Sequence, residues 1–137
     1  MDSKLLGQIV GRGEQERFLA QMAENSGDYN AAIERLKHFV EYRKSDIYRE
    51  YSSMGRIYLK QGQIESALRY FRMSRDHRSI YPDQVVDREE QKAFAVEYLD
   101  MIREYGSLDE RALFLEQLGK NPANNDVMAA LKASGKV

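Results

Sequence analysis

Apolar positions in this chain recur at helical spacing, in segments separated by turns that carry glycine. Tyr51, Met54, Tyr58 and Leu59 mark one face of a segment, and Ile64, Ala67, Leu68 and Phe71 mark a face of the next, beyond Gln61-Gly62-Gln63. Spacings of three and four residues are those of an amphipathic helix, so 51–71 reads as two helices joined by a tight turn. Upstream, Phe18, Leu19 and Met22 fall on a helix from Glu14 to Asn25. Ser26-Gly27-Asp28 makes a turn, and Asp28 caps a second helix to about Tyr42 with Ile33, Leu36, Phe39 and Val40 inward. Ser45 or Asp46 caps the helix that contains Tyr51. Its partner runs to about His77, with 78–83 as a connection.

Downstream, Pro82 is placed at the first turn of a helix from about Asp83 to Tyr105 carrying Val86, Phe94, Tyr98, Met101, Ile102 and Tyr105. Ser107-Leu108-Asp109-Glu110 has the form of a capping box, and the helix behind it carries Leu108, Ala112, Leu115 and Leu118. Gly119-Lys120-Asn121-Pro122 stops that helix. The remainder, 123–137, holds Val127, Met128 and Leu131 at helical spacing, as a short capping helix or as a segment docking in a groove. At the other end, 3–10 reads as a short helix broken by Gly11-Arg12-Gly13; no strand precedes these glycines and no Lys-Ser/Thr follows, so they are not a phosphate loop.

The middle segment has a more particular pattern than amphipathicity. Tyr51-x2-Met54-Gly55-x2-Tyr58, followed by Ala67-x3-Phe71, resembles the tetratricopeptide repeat (TPR), with Tyr51 and Met54 where that family has Trp and Leu. Gly55 and Ala67 are small where two antiparallel helices come closest, and Tyr51, Tyr58 and Phe71 supply the bulk between neighbours. The same register, more weakly, sets Leu19, Ala20 and Ala23 against Met54, Gly55 and Tyr58, and Gly27, Ala32 and Leu36 against Gly62, Ala67 and Phe71. The resemblance implies an all-α, right-handed stack of about three antiparallel hairpins within one domain, 1–137. Its parts are 14–44, 45–80, a degenerate 84–118 and a tail or cap at 119–137.

Composition narrows the chemistry. The 137 residues hold no cysteine, which excludes disulfides and thiolate nucleophiles and suits a reducing compartment. No run approaches the roughly 18 apolar residues of a membrane span, and the N-terminal apolar run is short for a signal peptide, so the expectation is a soluble, cytoplasmic protein. Net charge is −1, but 35–82 holds eleven Lys/Arg against five Asp/Glu and 83–118 holds four against ten. A bipolar surface is one consequence, and head-to-tail self-association through repeat ends or the tail is another. His38 and His77 stand in no metal-ligand spacing, no G-x-S-x-G turn occurs, and the adjacent pairs Glu89-Glu90 and Asp109-Glu110 point different ways on a helix. No catalytic constellation, cofactor or metal site is expected.

Two surfaces remain. In TPR proteins the first helix of each repeat lines the ligand groove. By register the resemblance assigns Arg49, Ser52, Ser53, Arg56 and Lys60 to it from the second repeat, with Arg17, Gln21 and Asn25 from the first. Arginines grip carboxylates in bidentate fashion, so the implied partner is an acidic peptide or a free C-terminus of another protein. Arg17, Gln21 and Ser53 occupy positions of the Lys/Asn carboxylate clamp of chaperone-binding TPRs; no Asn stands among them, so the resemblance stops short of that clamp. The second surface is the stripe Arg69, Arg72, Arg75 and Arg78, which is able to neutralise phosphates. The reading is a non-catalytic protein-binding adaptor. A nucleic-acid-associated regulator using the stripe, or a structural subunit of a permanent complex, are the alternatives.

Overall fold

The computed structural model describes residues 12–43, 47–80, 82 and 85–137, and the described residues are helical with no strand among them. Among the described residues seven α-helices follow in chain order: α1 (Arg12–Asn25), α2 (Tyr29–Arg43), α3 (Tyr48–Lys60), α4 (Ile64–Ile80), α5 (Arg88–Tyr105), α6 (Leu108–Lys120) and α7 (Asn125–Ala133). A 3-10 turn, Pro122–Asn124, joins the last two. Among the described residues no helix is long and apolar enough to cross a membrane. The chain divides into two compact units, one ending at Tyr81 and the other beginning at Pro82.

The first unit is two antiparallel hairpins, α1/α2 and α3/α4, with α2 packed on α3. Their turns are built alike. Gly27 (φ +82°) and Gly62 (φ +75°) adopt the left-handed conformation that glycine tolerates best. Gly27 N–H donates to Glu24 O at 3.0 Å and Asp28 N–H to Ala23 O at 2.9 Å; Gly62 N–H donates to Leu59 O at 3.0 Å and Gln63 N–H to Tyr58 O at 2.9 Å. Each is a Schellman cap, and the residue after the glycine opens the next helix, its carbonyl accepting from Ala32 or Ala67 at 3.0 Å. Asp28 adds a side-chain cap to Ala31 N–H at 3.2 Å.

Small residues mark the closest approaches at equivalent places. Ala20 and Ala32 are buried in the first hairpin, Gly55 and Ala67 in the second. Ala20, Ala32, Ile33, Leu36, Met54 and Ile57 form one core cluster, with Tyr51, Tyr58 and Tyr70 packed against it. Phe39 and Phe71 are fully buried as well. Stacked Tyr58 and Tyr70 rings (centroids 5.4 Å) and tilted Tyr51 and Tyr70 rings (6.3 Å) finish the α3/α4 contact; burial and then the Tyr70 phenol push the Tyr51 pKa up.

Several expected placements are corrected. Arg12 and Gly13, read as a break, lie within α1, while the expected helix 3–10 and the Ser45 and Asp46 caps fall outside the described residues. Ile47 precedes α3 and makes no side-chain cap bond. Phe18 and Met22 are exposed and Ala20 faces inward in their place; Leu59 is exposed, and Tyr48 and Ile57 are buried. The fourth helix continues to Ile80 rather than His77. Pro82 starts no long helix: α5 begins at Arg88 behind Asp87, whose carboxylate accepts from Glu90 N–H at 3.1 Å, so Val86 lies outside the helix and exposed while Val85 is buried.

In the second unit α5, α6 and α7 pack on one another. Tyr98 stacks on Phe94 (5.8 Å) and meets Phe114 edge-on (4.6 Å), and Ile102, Leu118, Val127 and Leu131 are buried. Ser107 caps α6 as expected, accepting from Glu110 N–H at 3.1 Å. Leu108 and Ala112, expected inward, are exposed, and Phe114 takes the buried place. The tail is the helix α7, docked within this unit by Val127 and Leu131, by Arg88 donating to both Asp126 oxygens (3.1 and 2.8 Å), and by Lys136 donating to Asp100 at 2.6 Å.

Candidate functional site

Two cross-hairpin ion pairs fix how α1 and α3 lie. Arg17, early in α1, donates through Nε to Glu50 Oε1, early in α3, at 2.8 Å. Glu24, late in α1, accepts from Lys60 Nζ, the last residue of α3, at 2.6 Å. Early meets early and late meets late, so the two first helices run side by side in parallel. Gln61 donating to Asn30 at 3.0 Å ties the turn of the second hairpin to the start of α2.

Between α1 and α3 opens a cleft of about 210 Å³, lined by Arg17, Ala20, Gln21 and Glu24 of α1, Leu36 of α2, and Arg49, Glu50 and Ser53 of α3. Four of the sequence-named residues, Arg17, Gln21, Arg49 and Ser53, therefore share one cavity. Arg56 and Lys60 follow on α3 but do not line it. Ser52 does not belong with them: it is fully buried, and its hydroxyl bonds back to Tyr48 O at 3.3 Å and Arg49 O at 3.0 Å. A serine one residue from the polar face serves there as a small core residue whose hydroxyl is satisfied by its own helix.

The cleft is also less basic than its arginines suggest. Glu50, only 3% exposed, sits in its wall with Arg17 on it, and the Arg17 guanidinium lies 4.5 Å from the centroid of the Phe39 ring. A buried carboxylate is tolerable only when paired in this way. At the other end the hydrogen bond to Glu24 holds the Lys60 ammonium above its usual pKa, against the opposing effect of burial. Gln21 donates to Asn25 at 2.9 Å along α1. The cleft is thus lined by Arg17 and Arg49 together with Glu24 and Glu50, around the apolar Ala20 and Leu36. Glu24, Glu50 and this apolar floor were not singled out from the sequence, where nothing in the spacing reveals which charges meet across hairpins.

The arginine stripe of α4 is interrupted. Arg78 is buried, donates to Ser74 Oγ at 3.0 Å and lies 4.7 Å above the Tyr48 ring, and Ser74 in turn donates to Tyr48 O at 2.7 Å. Arg75 pairs with Asp76 at 2.8 Å. His38 is exposed, while His77 lies beside the Tyr48 and Tyr51 rings. Among the described residues no group of three or more His, Asp or Glu side chains is placed to hold a metal ion. No protein-family model and no curated protein sequence matches this chain.

Proposed function

We propose that the first unit is a pair of TPR-like repeats that binds an acidic peptide segment or C-terminus of another protein in the cleft between α1 and α3, as a non-catalytic adaptor. The observation that carries this reading is that first helices of successive hairpins run parallel and enclose a cavity bearing Arg17, Gln21, Arg49 and Ser53. The repeated Schellman turns and the small residues at equivalent positions support the repeat assignment. The apolar floor takes a small aliphatic side chain of the ligand, Gln21 and Ser53 hydrogen-bond its backbone, and Arg49 with Arg56 meets its carboxylate.

The test uses the full chain immobilised against a displayed library of random peptides with free C-termini. Enrichment of acidic sequences that disappears with Arg49→Glu/Arg56→Glu, and persists with Arg103→Glu on α5, supports the reading. No enrichment, or enrichment unchanged by the double substitution, rejects it.

A further inference from the structure

We propose that the outer face of α6 is a self-recognition surface on which the α6 of a second copy of this chain docks antiparallel. Leu108, Ala112, Leu115 and Gly119 recur at intervals of four, three and four and so form one stripe along the helix. The core of the second unit is made by the neighbouring stripe, with Phe114 and Leu118 buried, which leaves this one uncovered. Leu108 is 83% exposed, Ala112 and Gly119 are exposed, and Leu115 is half-buried. A Cβ added at Gly119 would meet nothing within 4 Å, so the C-terminal end of the stripe is an open, flat patch.

Shape and charge choose the occupant in the same register. Antiparallel docking sets Leu108 of one copy against Gly119 of the other and Leu115 against Ala112, large on small at each step. Parallel docking would set Leu108 on Leu108 and Gly119 on Gly119. Asp109 and Lys120, both exposed, flank the stripe on the same side near its two ends. Antiparallel docking about a two-fold axis brings the same flanks together, so Lys120 of each copy meets Asp109 of the other, and the helix dipoles oppose. Glu116, paired with Lys120 at 3.1 Å along the helix, extends the same flank. One helix on one helix covers less than the ~1,200 Å² of a stable interface, so the dimer is weak and reversible.

Sedimentation equilibrium of the full chain tests this from about 10 μM to about 1 mM, the range in which a small interface shows itself. A monomer–dimer equilibrium is expected, with Asp109→Lys alone and Lys120→Glu alone each weakening it by about tenfold. An equimolar mixture of these two variants then regains the wild-type dimer, because each end of the mixed pair again joins opposite charges. Leu108→Glu, at a position too exposed to affect folding, gives monomer throughout with an unchanged circular dichroism spectrum. A wild-type chain that stays monomeric at 1 mM, a dimer indifferent to Leu108→Glu, or variants that fail to rescue each other would overturn the proposal.

Discussion

A Cβ built on Gly55 would lie 2.9 Å from Cδ2 of Phe71, so the α3/α4 hairpin closes only because position 55 has no side chain. The Phe71 ring is itself 1% exposed, and the Ala67 carbonyl oxygen lies 3.2 Å from the same point, so neither the ring nor the facing backbone has room to retreat. Gly55→Ala therefore loses more in overpacking, about 1–3 kcal/mol, than the roughly 1 kcal/mol alanine normally gains over glycine inside a helix. The expected net loss is about 1 kcal/mol, and more for Gly55→Val, read as a fall in the urea midpoint at constant slope. A neutral or stabilising Gly55→Ala would show that the helices have slack there.

The two turns give a matched pair. Gly27 and Gly62 have positive φ and nothing within 4 Å of an added Cβ, so alanine at either site costs conformation alone. Each substitution is expected to cost about 1 kcal/mol, and the two losses agree within a few tenths if the hairpins are equivalent units.

Where the sequence spoke through size it was legible. Gly55, Ala67 and Phe71 stand out in the sequence as small, small and large, and in the structure Ala67 and Phe71 are buried with the Phe71 ring and the Ala67 carbonyl against position 55. Polarity misled instead. Ser52 and Arg78 are polar letters buried by local bonds, to the Tyr48 and Arg49 carbonyls in one case and to Ser74 and the Tyr48 ring in the other. Phe18, Met22 and Leu108 are apolar letters left exposed. In α6 two apolar stripes lie side by side, and periodicity cannot say which one the neighbouring helices cover. The cleft was legible only in part, since Arg17, Gln21, Arg49 and Ser53 follow from register, whereas Glu50 and Glu24 enter through pairs spanning 33 and 36 residues.

The Arg17–Glu50 pair leaves a carboxylate buried, so its two halves are not equally dispensable. Arg17→Met is expected to cost up to about 3 kcal/mol by removing one charged partner of the buried Glu50 carboxylate. Adding Glu50→Gln to that variant returns part of the loss, because an amide is cheaper to bury than a charge. Chemical denaturation of the two single variants and the double variant measures the coupling. Strict additivity would mean that the pair contributes nothing.

Acid acts on the second unit through Asp126. The hydrogen bond from Arg88 holds its carboxyl below the usual carboxylate pKa. A depressed folded-state pKa means that the stabilisation is fully present at neutral pH and is lost as pH falls through that depressed value. Thermal melts against pH should therefore show the α7 docking weaken only in strong acid, with Asp126→Asn less stable at neutral pH and flatter across the acid limb. Equal acid sensitivity in the two chains would remove Arg88–Asp126 from the account.

Adaptor function stands or falls on where a ligand touches the chain. Backbone amide shifts, recorded while an acidic peptide selected by the full chain is titrated in, answer this residue by residue. The expected result is saturable movement at Gln21, Arg49 and Ser53 and their neighbours on α1 and α3, with α5 to α7 unmoved. Movement confined to the second unit, or none at all, would contradict the assignment of this cleft.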